Sequence, residues 1–338
     1  MKKILVTGGL GYIGSHTVVE LQSSGYDVVV IDNLDNSTEG VKEQIVSISG
    51  RSIDLVIGDV NDEQTMNRLF QEHNFYGVIH FAAYKAVGES VDNPIKYYQN
   101  NITGLICLLG AMERHGVQNL IFSSSCTVYG IAEDLPVIED TPIKSAESPY
   151  GTTKIIGEKI IQDYTKHKNI NAILLRYFNP VGAHPSAKIG EFPNGVPSNL
   201  VPYITQTAAG IREQLVIHGN DYNTSDGTCI RDYIHVVDLA KAHVKAMIFV
   251  DKMPNSVDVF NVGTGNGSSV LEVVKAFEER SDIRLNYIVG PRRDGDVEQI
   301  FADTQKINHV LQWQAEYDLH DMMYHAWLWQ KSISRKIN

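Results

Sequence analysis

The chain opens with a short apolar run, Ile4 to Thr7, that breaks at once into Gly8-Gly9-Leu10-Gly11-Tyr12-Ile13-Gly14. Glycines 8, 11 and 14 fall in the spacing Gly-x-x-Gly-x-x-Gly where a buried strand turns into a helix, the context in which this pattern points to a phosphate-binding βαβ unit. In that register Gly8 permits the tight turn, Gly11 lets a pyrophosphate approach the backbone, and Gly14 lets the helix pack closely on the strand. Amides at the helix start then face the phosphates. A glycine-rich loop alone is a weak signal, but an acid at the end of the second strand strengthens it. Asp32 follows the run Val28 to Ile31, where its carboxylate can accept hydrogen bonds from ribose hydroxyls and would repel a 2′-phosphate. The expected cofactor is therefore NAD and not NADP. Asp59, after the third strand, fits a partner for the adenine amino group, with Val60 against the ring.

The same rhythm continues through the first half. Leu55 to Ile57, Val78 to Phe81, Leu120 to Ser123 and Ala172 to Leu175 read as buried parallel strands. Helical patterns lie between them, such as Ile102 to Met112, with Ile102, Leu105, Ile106 and Leu109 on one face. Repeated β-α units predict an α/β fold: a doubly wound parallel sheet of Rossmann type with a smaller mixed α/β substrate lobe. After Asn179, prolines 180, 185, 193, 197 and 202 crowd one segment and favour loops. The predicted division is a nucleotide domain over 1–178 and a substrate lobe over 179–338. Later strands at Gln214 to Ile217 and Asp258 to Val262, and helices at Val237 to Phe249 and Val270 to Glu279, suggest a chain that crosses between lobes, with segments near 214–262 returning to the first domain.

Composition narrows the partners. The chain is 338 residues long with a formal net charge of −11, which disfavours nucleic acid and anionic membranes. Gly8 and Gly9 end the N-terminal apolar run too early for a signal peptide, and no stretch approaches the ~20 apolar residues of a membrane span. Cys107, Cys126 and Cys229 are widely spaced and odd in number, as expected of a reduced, cytoplasmic chain. The histidines include no His-x-x-x-His pair to share a helix face, so no metal site is expected.

Tyr150-Gly151-Thr152-Thr153-Lys154 sets a phenol and an ammonium one helical turn apart. A free phenol titrates near ~10; a neighbouring ammonium and a positive nicotinamide would lower it toward working pH and make it a base. Ser123-Ser124-Ser125 closes a predicted strand at the end where ligands bind in such sheets, so Ser125 can bridge a substrate hydroxyl and Tyr150. A lone Tyr-x-x-x-Lys is common by chance. Placed downstream of a dinucleotide fingerprint and a serine-bearing strand end, it reads as catalytic.

Taken in order, the strings Thr7-Gly8-Gly9-x-Gly11-Tyr12-Ile13-Gly14-Ser15-His16, Asp32-Asn33, Phe81-Ala82-Ala83-x-Lys85, Ser123 to Gly130, Tyr150 to Lys154, Leu175 to His184, Gly219 to Tyr222, Arg231 to His235 and Arg292-Arg293-x-Gly295-Asp296 resemble the UDP-glucose 4-epimerase family, from residue 4 to about 303. The resemblance implies Tyr150 as base, Lys154 as its electrostatic helper and ribose contact, and Ser125 as the residue that orients the hydroxyl. It implies cofactor contacts at Tyr12, Ile13, Asn33, Phe81, Ala82, Ala83, Lys85, Asn100, Ser123, Ser124, Tyr177 and Phe178. Asn179, Asn199, Leu200, Arg231, Tyr233, Arg293 and Asp296 match positions that hold the UDP-sugar, and a homodimer is implied through helices near Ile102 and Ile155. The arginines suit diphosphate oxygens as fork-shaped donors.

The implied reaction is NAD-dependent 4-epimerisation of UDP-hexoses: Tyr150 takes the C4 hydroxyl proton while hydride passes from C4 to NAD⁺, the 4-keto sugar turns over, and both return on the other face. Two departures bear on specificity. His218 stands where the family commonly has a phenylalanine against uracil. Ile300 occupies a position that carries tyrosine or something smaller, smallness resembling admission of a 2-acetamido group. Three rivals stay open. A sugar-nucleotide 4,6-dehydratase would want an Asp-Glu pair where Cys126 and Thr127 stand. A UDP-glucuronate epimerase would want extra basic groups. A non-catalytic NAD-sensing protein would not need an intact Ser125, Tyr150 and Lys154.

Overall fold

The computed structural model describes residues 1–253, 255–293 and 296–337. Among these, seven strands form one all-parallel sheet: β1 (Lys3–Thr7), β2 (Asp27–Asp32), β3 (Asp54–Ile57), β4 (Gly77–His80), β5 (Asn119–Ser125), β6 (Asn171–Tyr177) and, from late in the chain, β10 (Val257–Val262). Their order across the sheet is β10-β6-β5-β4-β1-β2-β3, so it reverses between β1 and β4. Ligands of open α/β sheets lie beyond the carboxyl ends of the strands at such a reversal.

The strands are apolar on both faces because helices cover both. Ile4, Val6, Val28, Val30, Ile121 and Ile173 point to one side, under α1 (Tyr12–Ser23), α2 (Val41–Ser49) and α9 (Val236–Phe249). Their neighbours Leu5, Val29, Ile31, Leu120, Phe122 and Leu174 point to the other, under α3 (Glu63–Glu72), α6 (Gly104–Arg114) and α7 (Pro149–Thr165). Full burial of each such side chain is worth about 1.5–3 kcal/mol. Two short helices, α4 (Val87–Asp92) and α5 (Pro94–Tyr98), lead into a π-helical turn at Gln99–Thr103 ahead of α6.

The remaining strands belong to the smaller lobe. There β9 (Ile230–His235) pairs with β7 (Asn179–Val181), β11 (Gly267–Ser269) and β13 (Gln299–Ile300), while β8 (Leu215–His218) pairs with β12 (Tyr287–Gly290). They pack with α8 (Leu200–Ala208), α10 (Val270–Ser281) and α12 (Leu319–Ile337), while α11 (Gln305–Val310) lies against β10.

Three readings of the sequence are corrected here. The strand predicted at 214–217 does not rejoin the nucleotide domain: β8 finds its partner in β12, and the return runs through α9 and β10, which apolar periodicity alone does not distinguish. The predicted face of the helix at 102–112 is rotated, with Ile106 exposed and Leu105, Leu108, Leu109 and Met112 buried. The wide π turn at Gln99–Thr103 resets the helical phase before α6 begins. Phe81 lies just past the end of β4, on the loop at the switch point.

Candidate active site

The glycine turn is built as its spacing demands. Gly8 has φ +68°, and a methyl added there would stand 2.9 Å from the amide nitrogen of Ala82. A methyl on Gly14 would come 2.2 Å from the carbonyl oxygen of Gly8, so α1 could not start where it does with any larger residue. Gly11 is the N-cap of α1 and no side chain caps it, which leaves the helix start facing the mouth of the turn with Tyr12 and Ile13 in its first positions. Asp32 is folded onto this loop. Its Oδ2 accepts from the Leu10 amide at 3.0 Å and its Oδ1 from Ser37 Oγ at 2.7 Å and the Leu34 amide at 3.0 Å. A backbone cradle too tight for side chains, with a fixed carboxylate at its far edge, fits the pyrophosphate and ribose of NAD.

The residues expected at the adenine end lie beside it. Asn33 Nδ2 lies 3.4 Å from Asp59 Oδ2, and Asp59 Oδ1 accepts from the amide and side chain of Asn61. Asn61 in turn donates to Asn100 on the π turn at 3.2 Å. Val60 is buried beneath Gly104. Phe81, Ala82 and Ala83 follow β4 at the switch point, where the Ala82 amide donates to Thr7 Oγ1 at 3.2 Å. Lys85 sits at the rim with Nζ 2.9 Å from Glu191 Oε1.

On α7, Tyr150 and Lys154 are one turn apart. Lys154 is buried and its Nζ donates to the carbonyl oxygen of Ser123 at 2.7 Å; the same nitrogen is 5.8 Å from the centre of the Tyr150 ring. Burial pushes the ammonium down to about 8, opposed by the negative charge of Glu158. Burial likewise pushes the Tyr150 phenol up to about 12, opposed by a hydrogen bond from Ser125. In the protein by itself desolvation dominates at the phenol; the positive nicotinamide expected beside it is the second charge that the lowering calls for. Ser125 also accepts from the Thr127 amide at 3.2 Å. Ser123 and Tyr177 face the α9 side of the sheet, where the Tyr177 hydroxyl meets His243.

Ser124 departs from its expected role. Side chains alternate along a strand, so its hydroxyl points away from the cradle and under α7, where it donates to Glu158 Oε1 at 2.5 Å with no exposed surface. A side-chain contact with the cofactor is not open to it.

The smaller lobe brings the remaining candidates to the other wall. Arg231 Nη2 is 3.6 Å, and Arg293 Nη2 2.8 Å, from Asp296 Oδ1, which gathers two guanidiniums around one carboxylate. Gly295, in the same motif, lies outside the described residues. Asn199 is the N-cap of α8, yet its side chain turns to Glu191 Oε1 at 2.8 Å and leaves the helix start at Leu200 without a side-chain cap. Asn179 donates to the Asp232 carbonyl at 3.3 Å. Tyr233 is buried in β9, whereas His218 is exposed at the end of β8. Ile300, paired with Arg231 in the sheet register, is buried with Cys126, Tyr129 and Phe178.

Several residues around the site have no motif to announce them. Asn101 donates to Thr153 Oγ1 at 3.0 Å and accepts from the Tyr84 amide at 2.9 Å, tying α7 to the loop after β4. Glu158 could have been picked out as the next turn after Tyr150 and Lys154, and Arg176 from its place in the string Leu175 to His184; Glu191 and His243 carry no sequence signal.

A dinucleotide cradle with a tyrosine–lysine helix set beside it is the arrangement of the extended short-chain dehydrogenases/reductases. The family model described as GDP-mannose 4,6 dehydratase matches residues 5–326. UDP-glucose 4-epimerase of Bacillus subtilis (strain 168) is 51% identical over 332 residues, 97% of each chain. The crystal structure of UDP-glucose-4-epimerase from Stenotrophomonas maltophila, with bound NAD and formylated UDP-arabinopyranose, superposes with a TM-score of 0.97 at 48% identity, covering 99% of this chain and 100% of that one. That of the Bifidobacterium longum enzyme, in complex with NAD+ and UDP, gives 0.94 at 46%, covering 98% of each. The chain belongs to the UDP-glucose 4-epimerase family.

Proposed function

We propose that this protein interconverts UDP-glucose and UDP-galactose as an NAD-dependent 4-epimerase. The observation that carries the reading is the placement of Tyr150 over Lys154, pinned to the Ser123 carbonyl, beside a glycine cradle that fits a dinucleotide. Gly8, Gly11, Gly14 and Asp32 would hold the cofactor, with Asn33, Asp59, Lys85, Asn100, Ser123, Tyr177 and Phe178 around it. NAD, when bound, supplies the hydride acceptor and a positive ring that favours the Tyr150 phenolate.

The protein's own part is proton transfer and orientation. Tyr150 takes the proton of the C4 hydroxyl, with Ser125 holding that oxygen, and returns it after the sugar has presented its other face. Lys154 stabilises the phenolate. Arg231 and Arg293 exchange Asp296 for the diphosphate, and Asn179, Asn199, Leu200, His218 and Tyr233 complete the UDP-sugar wall. A 4,6-dehydratase is not favoured: Cys126 and Thr127 leave no carboxylates beside Ser125 to eliminate water.

The protein is further proposed to be a cytoplasmic homodimer. Val87, Val91, Ile95 and Ile106 expose an apolar surface on α4, α5 and α6, and the three cysteines are free thiols. No helix among the described residues is long and apolar enough to cross a membrane. The test is turnover of UDP-galactose and UDP-N-acetylgalactosamine by purified protein without added cofactor. Activity on either supports the 4-epimerase; inactivity on both overturns it in favour of uronic-acid or dehydratase chemistry.

A further inference from the structure

Helix α7 carries a third functional position one turn beyond Lys154. Glu158 is 1% exposed, and both of its oxygens are engaged. Arg176 of β6 binds it in a two-pronged pair, Nε to Oε1 at 2.9 Å and Nη2 to Oε2 at 2.8 Å, while Ser124 adds its hydroxyl at Oε1. The remaining Arg176 nitrogen, Nη1, donates to the Tyr129 hydroxyl and to the Glu139 carbonyl, each at 3.0 Å. Tyr129 passes the chain on to Asn261 Oδ1 of β10 at 2.6 Å. One carboxylate thus joins α7 to three neighbouring strands of the sheet.

The residues it grips are those next to the chemistry. Ser124 lies between Ser123, whose carbonyl receives Lys154, and Ser125, which bonds to Tyr150. Lys154 is buried with a neutral carbonyl as its direct acceptor, so its charge needs an opposing charge nearby. Glu158 is the acid that opposes its burial. The other groups facing it carry no negative charge: His80 from β4 is held neutral by burial, Phe122 of β5 offers the weaker attraction of its ring face, and Tyr150 is a neutral phenol until it reacts. Arg176, the other charge nearby, is bound to Glu158 in the two-pronged pair.

We propose that Glu158, without touching substrate or cofactor, is the positioning residue that keeps the Lys154 ammonium and the end of β5 in working arrangement for proton transfer at Tyr150. The kinetic part of the test rests on the epimerase reading above; the part that follows Lys154 itself does not. Glu158→Gln keeps the shape and removes the charge.

The expected result is an alkaline limb of kcat against pH for UDP-galactose that moves down by about one unit, with KM within about threefold. From a starting value of about 8 for Lys154, a one-unit fall leaves roughly a tenth of the ammonium at pH 8 instead of half, about a fivefold loss of kcat there. Glu158→Asp should recover part of the shift. In parallel, NMR of the Lys154 side chain with ¹³C-labelled lysine should show the same downward move of its titration midpoint in the variant.

A kcat lowered equally at every pH with unmoved limbs, or an unchanged Lys154 midpoint, overturns the proposal and leaves Glu158 a structural brace. Should neither wild type nor variant turn over UDP-galactose, the epimerase reading falls while the Lys154 titration still decides the role of Glu158. If Glu158→Gln fails to fold because it strands Arg176, the paired change Glu158→Gln with Arg176→Met removes the buried cation as well. The downward midpoint is expected there too.

Discussion

The Tyr177 hydroxyl lies 2.5 Å from His243 Nε2, inside the protein and behind Ser123. The direction of that bond is forced. His243 Nδ1 is 2.8 Å from the Leu239 carbonyl, which can only accept, so the ring proton is on Nδ1 and Nε2 accepts from tyrosine. The Tyr177 proton is thereby committed to His243. Replacing His243 with leucine should strand a buried hydroxyl at a cost of about 1–3 kcal/mol. The measured results expected are a lower melting temperature and less NAD retained through gel filtration; full retention would show that Tyr177 does not depend on His243.

Tyr150→Phe removes the proposed base and leaves the glycine cradle untouched. Loss of a positioned acid–base group costs roughly 10²–10⁴ in rate. The variant should keep the NAD content of the wild type, read by absorbance of the denatured supernatant, while kcat for UDP-galactose falls by that factor. Surviving activity would mean that another group is the base.

The parts legible in the sequence share a property: they are local. Glycines 8, 11 and 14, Asp32 after its strand, and Tyr150 with Lys154 announce themselves through spacing within a turn or a strand end, and the structure sets them around one cradle. What stayed hidden is made by contacts between distant segments. Arg176 reaches Glu158, and His243 reaches Tyr177, only once β6 lies against α7 and α9. A run of three serines does not say which alternate side chains face the ligand, and the Ser124 hydroxyl turns instead to Glu158. The exposure of Ile106 is not legible because the π turn before α6 has no sequence signature.

Ile300 is 6% exposed and packs against Cys126 and Phe178, the wall next to Ser125. If this side chain limits room at C2 of the sugar, Ile300→Ala should raise kcat/KM for UDP-N-acetylgalactosamine relative to UDP-galactose, and Ile300→Tyr should lower it. The alanine variant should also lose about 2 kcal/mol or more of stability from the space left behind. An unchanged ratio of the two substrates in both variants would place the acetamido limit elsewhere.

Acid should unfold this protein through its buried histidines. Burial lowers His16 and His80 to about 3, His235 to about 2 and His243 to about 4. Each is neutral in the fold but takes up a proton near pH 6.5 once unfolded, so its contribution is present above 6.5 and is lost as pH falls below it. Between pH 7 and 5 the loss is about 2 kcal/mol per histidine. Asp238 works the other way. Burial raises it to about 6, so it favours the fold below its usual range and ceases to as pH rises through 6, which offsets only part of the histidine effect. The melting temperature should therefore drop steeply from pH 6.5 to 5. His235 offers the sharpest check, because its ring is the N-cap of α9 and accepts from the Val237 amide at 3.1 Å. Asparagine serves that cap equally well. His235→Asn should lessen the acid slope by about one proton, and a slope that is unchanged would mean that His235 is not neutral in the native protein.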